Sequence, residues 1–119
     1  MNTIKLALLS LSLASTVSLA GECTGPEMPT LPDGGTSSME QMLAGQKSVK
    51  EFQTANLEYM ACLDPQITAA RAELEAGEES AADKIKQLEE AYNDAVSKEE
   101  EVAGQFNTEI REYKAANPG

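Results

Sequence analysis

From Ala81 to Ala116 the side chains Ile85, Leu88, Tyr92, Val96, Ala103, Phe106, Ile110 and Tyr113 recur at intervals of three, four and seven residues. That is the period of one helix face. The stripe runs for 36 residues before Asn117-Pro118-Gly119 ends it. At 1.5 Å per residue such a helix spans about 54 Å. A rod of that length cannot bury its stripe against itself, so the rest of the chain must supply a partner nearly as long.

The partner is predicted just upstream. Ser37 to Glu40 fits the capping box S-x-x-E, and Met42, Val49, Phe52, Tyr59 and Leu63 then keep helical spacing. Pro65 interrupts the pattern; it can kink a continuing helix or open a new one. Ile67, Ala70 and Leu74 resume the stripe, Gly77 reads as a helix stop, and Ser80 with Asp83 reads as the next cap. If the chain reverses at residues 77–80, the two stripes face each other layer by layer. Leu74 meets Ile85, Ala70 meets Leu88, and Ile67 meets Tyr92. Leu63 meets Ala95 or Val96, and Asn56 meets Val102 or Ala103. Phe52 meets Phe106, Val49 meets Ile110, and Gly45 meets Tyr113. Tyr59 opposite Glu99 is the one misfit. The expected fold is all-α, a long antiparallel helical hairpin with its first arm kinked near Pro65. The alternative is a three-helix bundle with a true break there. No segment alternates as a strand does.

The N-terminus has a different grammar. Residues 1–20, MNTIKLALLSLSLASTVSLA, carry one charge, an apolar run of about 14 residues and small residues at Ser18 and Ala20. This is the pattern of a secretory signal peptide, too short to span a bilayer. Cleavage is expected between Ala20 and Gly21. A bacterial lipobox would need a small residue directly before the cysteine, but Glu22 stands before Cys23. Soluble export to the periplasm or medium is therefore expected over a lipid anchor.

Residues 21–37 form a proline-rich tail and turn, ahead of a helical domain at 38–119. Prolines at 26, 29 and 32 suit polyproline II, in which every third side chain shares a face; "PDGG" reads as a turn. Cys23 and Cys62 are the only cysteines. An even pair in an exported chain points to a disulfide, worth roughly 4 kcal/mol for a loop of about 40 residues. A tail of 15 residues reaches about 46 Å in polyproline II. It can therefore lie along the hairpin groove to reach Cys62, with Met28 and Leu31 packing as a third layer.

Composition narrows function mainly by exclusion. The chain has 9 Lys+Arg, 20 Asp+Glu and no His. Without Lys5 the balance is 8 against 20, a net charge of −12. Such a chain should not bind nucleic acid or anionic membranes through charge. Without His it lacks the commonest general base and transition-metal ligand, and its serines have no His to activate them. The acidic groups Glu73, Glu75, Glu78 and Glu79, and Glu99, Glu100 and Glu101, lack the Asp/Gly alternation of a calcium loop; they read as solvated helix surface. No catalytic, cofactor or metal residue is expected. Tyr59, Tyr92, Phe106 and Tyr113 read as core, and Asn56, Asn93 and Asn107 lie on or beside the seam, where a buried Asn fixes register.

Two segments, "PDGGTSSMEQMLAGQKSVKEFQTANLEYMACL" and "YNDAV…EEVAGQFNTEIREYK", carry a further likeness. With a Cys near the mature N-terminus, the chain resembles a group of small exported two-cysteine helical proteins of proteobacteria. No activity is assigned to that group. The resemblance implies export and a disulfide-tied helical fold, and carries over no functional residue. The expected role is non-enzymatic: structural or protein-interacting in the bacterial envelope, by self-association or through a protein partner. The alternative is a chaperone-like or inhibitory binder of a basic partner.

Overall fold

The computed structural model describes residues 22–119. The expected signal sequence 1–20 and its expected Ala20–Gly21 cleavage junction lie outside the described residues. The rest is two helices, α1 (Met39–Glu75) and α2 (Ala81–Ala116), packed antiparallel as a hairpin, preceded by an extended tail.

Helix α1 runs unbroken through Pro65. The three-helix alternative therefore does not form. Proline removes one backbone donor and crowds the carbonyl four residues earlier. Leu63, Ile67 and Ala70 are all buried around it, and the packing of both flanks on α2 offsets that cost. The cap differs by one residue from the expected one. Ser38, not Ser37, is the N-cap: its hydroxyl accepts from Gln41 N (3.2 Å), and Gln41 Oε1 accepts from Ser38 N (2.8 Å). Gln41 thus takes the role assigned to Glu40 in an otherwise identical reciprocal box.

The reversal is where it was expected. Gly77 has φ +97°, a conformation that costs glycine nothing. Gly77 N donates to Leu74 O and Glu78 N to Glu73 O, each at 3.0 Å, which is the Schellman pairing. Ser80 does cap α2 by position, but its side chain makes no capping bond. The first amides are served from the turn instead, Ala81 N donating to Glu78 O and Ala82 N to Glu79 O.

The stripes pack on each other, but not every expected layer holds: Asn56, expected against Val102 or Ala103, bonds Ala95 O instead. Phe52, Val49 and Met42 form one buried cluster with Phe106 and Val102, flanked by Ile110, Tyr113 and Leu31. Leu63 and Ala95 are both buried, at 3% and 2% exposure, whereas Val96 is turned out at 37%. Leu74 is 41% exposed in the last turn of α1, beyond the reach of the tail. Met60, absent from the expected stripe, is buried. Gly45 lies not under Tyr113 but under Pro32. A Cβ there would stand 2.6 Å from Pro32 Cδ and 3.4 Å from the Phe106 ring.

The tail keeps a three-residue period. Cys23, Pro26, Pro29 and Pro32 are half-buried while most residues between them are exposed. The same phase corrects the expectation for Met28, which falls between the inward positions and is 38% exposed; Leu31 does reach the core cluster. The tail runs antiparallel to α1, from Cys23 at Cys62, past Gly25 against the Tyr59 ring, to Pro32 over Gly45. Nine residue steps of polyproline II cover about 28 Å. The seventeen helical steps from Cys62 to Gly45 cover about 25 Å, so tail and helix match in length. This sandwiching explains why α1 buries nine residues and α2 only four.

Candidate interaction surface

The hairpin has two broad faces. The tail occupies one, and both its ends are fastened. At one end Cys23 and Cys62 form the expected disulfide, with Cα atoms 5.8 Å apart. Gln66 Nε2 lies 3.1 Å from Cys23 Sγ. At the other end the tail turns on Asp33. Its carbonyl accepts from Thr36 N and Ser37 N, and its side chain accepts from Gly35 N at 3.0 Å. Gly34 then crosses α2 at close quarters. Its N–H donates to Glu109 Oε2 at 2.7 Å. A Cβ there would fall 2.7 Å from the Glu109 carbonyl carbon and 2.9 Å from Tyr113 N, and closer still to the Glu109 carbonyl oxygen. Only glycine fits.

The same turn gathers three acids that the sequence does not place together. Asp33, Glu109 and Glu112 bring carboxylate oxygens within 4.8 Å of one another. The hydrogen bond to Glu109 holds the Glu112 carboxyl above its ordinary range, helped by the charges of Glu109 and Asp33 and by slight desolvation. The acidic groups singled out in the sequence stay apart and largely exposed. Glu73 pairs with Lys84 across the turn at 3.8 Å, and Glu101 accepts from Gln105.

Of the amides, Asn56 alone lies in the seam. It is 2% exposed and donates through Nδ2 to Ala95 O at 2.9 Å. Asn93 and Asn107 are exposed. Among the described residues no buried side-chain polar atom lacks a partner. Phe106 is core and Tyr113 packs on it. Tyr59 and Tyr92 are half-buried, Tyr59 under Gly25 and Tyr92 beside a surface cleft.

The face opposite the tail is uncovered. An apolar groove of about 510 Å³ opens at the free end of the hairpin, floored by Met42, Phe106, Ile110 and Tyr113, with Met39 and Leu43 at its edge. Met39, Leu43 and Leu57 are more than half exposed, at 57%, 56% and 58%. Large apolar side chains left this open mark contact surfaces when they share a face. Three heptads further along lies a polar cleft of about 420 Å³ lined by Asp64, Ile67, Arg71, Glu89, Tyr92 and Asn93. Arg71 bridges the helices there, 2.6 Å from Glu89 Oε1.

No helix among the described residues is long and apolar enough to cross a membrane. A disulfide of this kind belongs to an oxidising, extracellular-type compartment. Compared with protein-family models, curated proteins and solved structures, the chain matches none.

Proposed function

We propose that this is an exported, non-enzymatic helical protein of the bacterial envelope, periplasmic or secreted, whose role is structural or protein-interacting. The observation that carries this reading is the asymmetry of the hairpin. A disulfide-pinned tail seals one face, while Met39, Leu43 and Leu57 stand open on the other. A fold that spends a tail and a disulfide on one groove holds the opposite groove rigid and free for contact. Its slimness agrees with this role, because the clefts on its surface are open and shallow. The likeness to small exported two-cysteine proteins of proteobacteria supports the same setting.

A net charge of −11 favours a second reading, a chaperone-like or inhibitory binder of a basic partner. Cross-linking in the native host, followed by recovery of the protein, tests both. The expected result is a cross-linked species that disappears when Leu43 and Leu57 are both changed to Glu, from a chain whose mass begins at Gly21. An unchanged cross-linking pattern in that variant would sink the interaction role for this face.

A further inference from the structure

We propose that the uncovered face is a self-association surface, and that its occupant is a second copy of this chain packed antiparallel about a two-fold axis at the level of Leu57. This rests on the interaction role proposed above and names the partner.

The first argument is charge. The chain as a whole carries −11, which would keep copies apart almost anywhere on the surface. The uncovered face is different. By heptad position its charged residues are Lys50, Arg71, Lys86 and Lys114 against Asp64, Glu89 and Glu100, so the chain's excess of acid is absent from it. A second copy can approach this face without the repulsion that the rest of the surface would impose.

The second argument is their order. Leu43, Lys50, Leu57, Asp64 and Arg71 follow one another at seven-residue steps along α1, the spacing that keeps side chains on one face of a packed helix. Lys50 and Asp64 stand seven residues either side of the exposed Leu57. A two-fold axis through that level sets Leu57 against its own copy and Lys50 against Asp64 of the other chain, twice. An isologous contact requires this self-complementarity.

The product is a four-helix arrangement with antiparallel neighbours and the two tails on its outer sides.

The test uses the full-length gene product recovered with its disulfide formed. Within one chain Lys50 and Asp64 are fourteen residues apart on α1, about 21 Å, so a zero-length carbodiimide coupling cannot join them. The expected result is a dimer in sedimentation velocity at about 0.1 mM protein. Carbodiimide treatment of mixed light and heavy-isotope protein should give a Lys50–Asp64 linked peptide of mixed isotope. Lys50→Asp and Asp64→Lys should each weaken dimerisation roughly tenfold or more, because each sets like charges opposite one another twice. The combined swap should restore it. Both positions are exposed, and circular dichroism confirms folding of each variant. A monomer at that concentration overturns the dimer, as does a dimer indifferent to both single changes or a swap that fails to rescue. A monomer whose cross-linking to another protein still depends on Leu43 and Leu57 would overturn the second copy alone and leave the interaction role standing.

Discussion

Gly34→Ala is the smallest change expected to loosen this fold. The backbone at Gly34 has no positive φ, so alanine is conformationally acceptable and the whole penalty is steric. Its methyl would meet the Glu109 carbonyl and Tyr113 N on α2. Those are helix backbone atoms that cannot rotate away, so the turn must lift instead. Lifting stretches the Gly34 N–Glu109 bond, now 2.7 Å, which is charge-assisted though only partly buried and so worth about 1 kcal/mol. It also draws Pro32 off Gly45 and Leu31 off the core cluster. Overpacking of this kind costs typically 1–3 kcal/mol. The sum is about 3 kcal/mol, and a domain of this size loses roughly 4–8 °C in Tm per kcal/mol. A calorimetric melt should therefore fall by about 12–24 °C, while Gly35→Ala, whose nearest neighbour is its own Asp33 side chain, should change little. A Gly34→Ala protein melting within about 2 °C of wild type would refute the close-fit reasoning.

Other outcomes follow from the same geometry. Replacing Cys23 and Cys62 by Ser should cost about 4 kcal/mol, and hydrogen exchange should show the tail opening before the hairpin. Gly104→Ala should stabilise by about 0.5–1 kcal/mol in chemical denaturation, since the site is mid-helix and a methyl there meets nothing within 4 Å. Asn56→Ala should cost about 2 kcal/mol through a lost buried bond and a small cavity, and Asn56→Asp more, because a carboxylate would face the Ala95 carbonyl. Glu112 has a folded pKa above its unfolded one. Its stabilising contribution is thus full at acid pH and lost as pH rises through the folded value. The melting temperature of Glu112→Gln relative to wild type should therefore rise from acid to neutral pH.

The hairpin was legible because long stripes leave few ways to pair. Once Gly77 fixes the reversal, the two apolar stripes have only each other to pack on, and even Pro65 cannot break a helix held by Leu63, Ile67 and Ala70. The disulfide was legible from an even cysteine pair behind a segment that reads as an export signal. What escaped depended on phase rather than composition. Ser37 and Ser38 both precede an acceptor three residues on, so only the backbone selects Ser38 with Gln41. Met28 is apolar, yet a three-fold tail turns it outward. Val96 and Ala95 are neighbours, and helical drift over many turns decides between them. The Asp33, Glu109 and Glu112 cluster joins residues some 75 positions apart, and nothing local marks it.

The attachment of Cys23 to Cys62 also settles how load enters the molecule. A pull applied on the N-terminal side of Cys23 does not reach the tail or the first turns of α1. It passes through the sulfur bridge into the side of α1, about 35 Å from the start of that helix at Met39. There the seam must slide as a block, with many side chains resisting at once. After reduction the same pull would lift Pro26, Pro29 and Pro32 in turn and then unzip α1 from Ser38, one contact at a time. Redox state thus decides where a pull on the N-terminal side of Cys23 enters the hairpin.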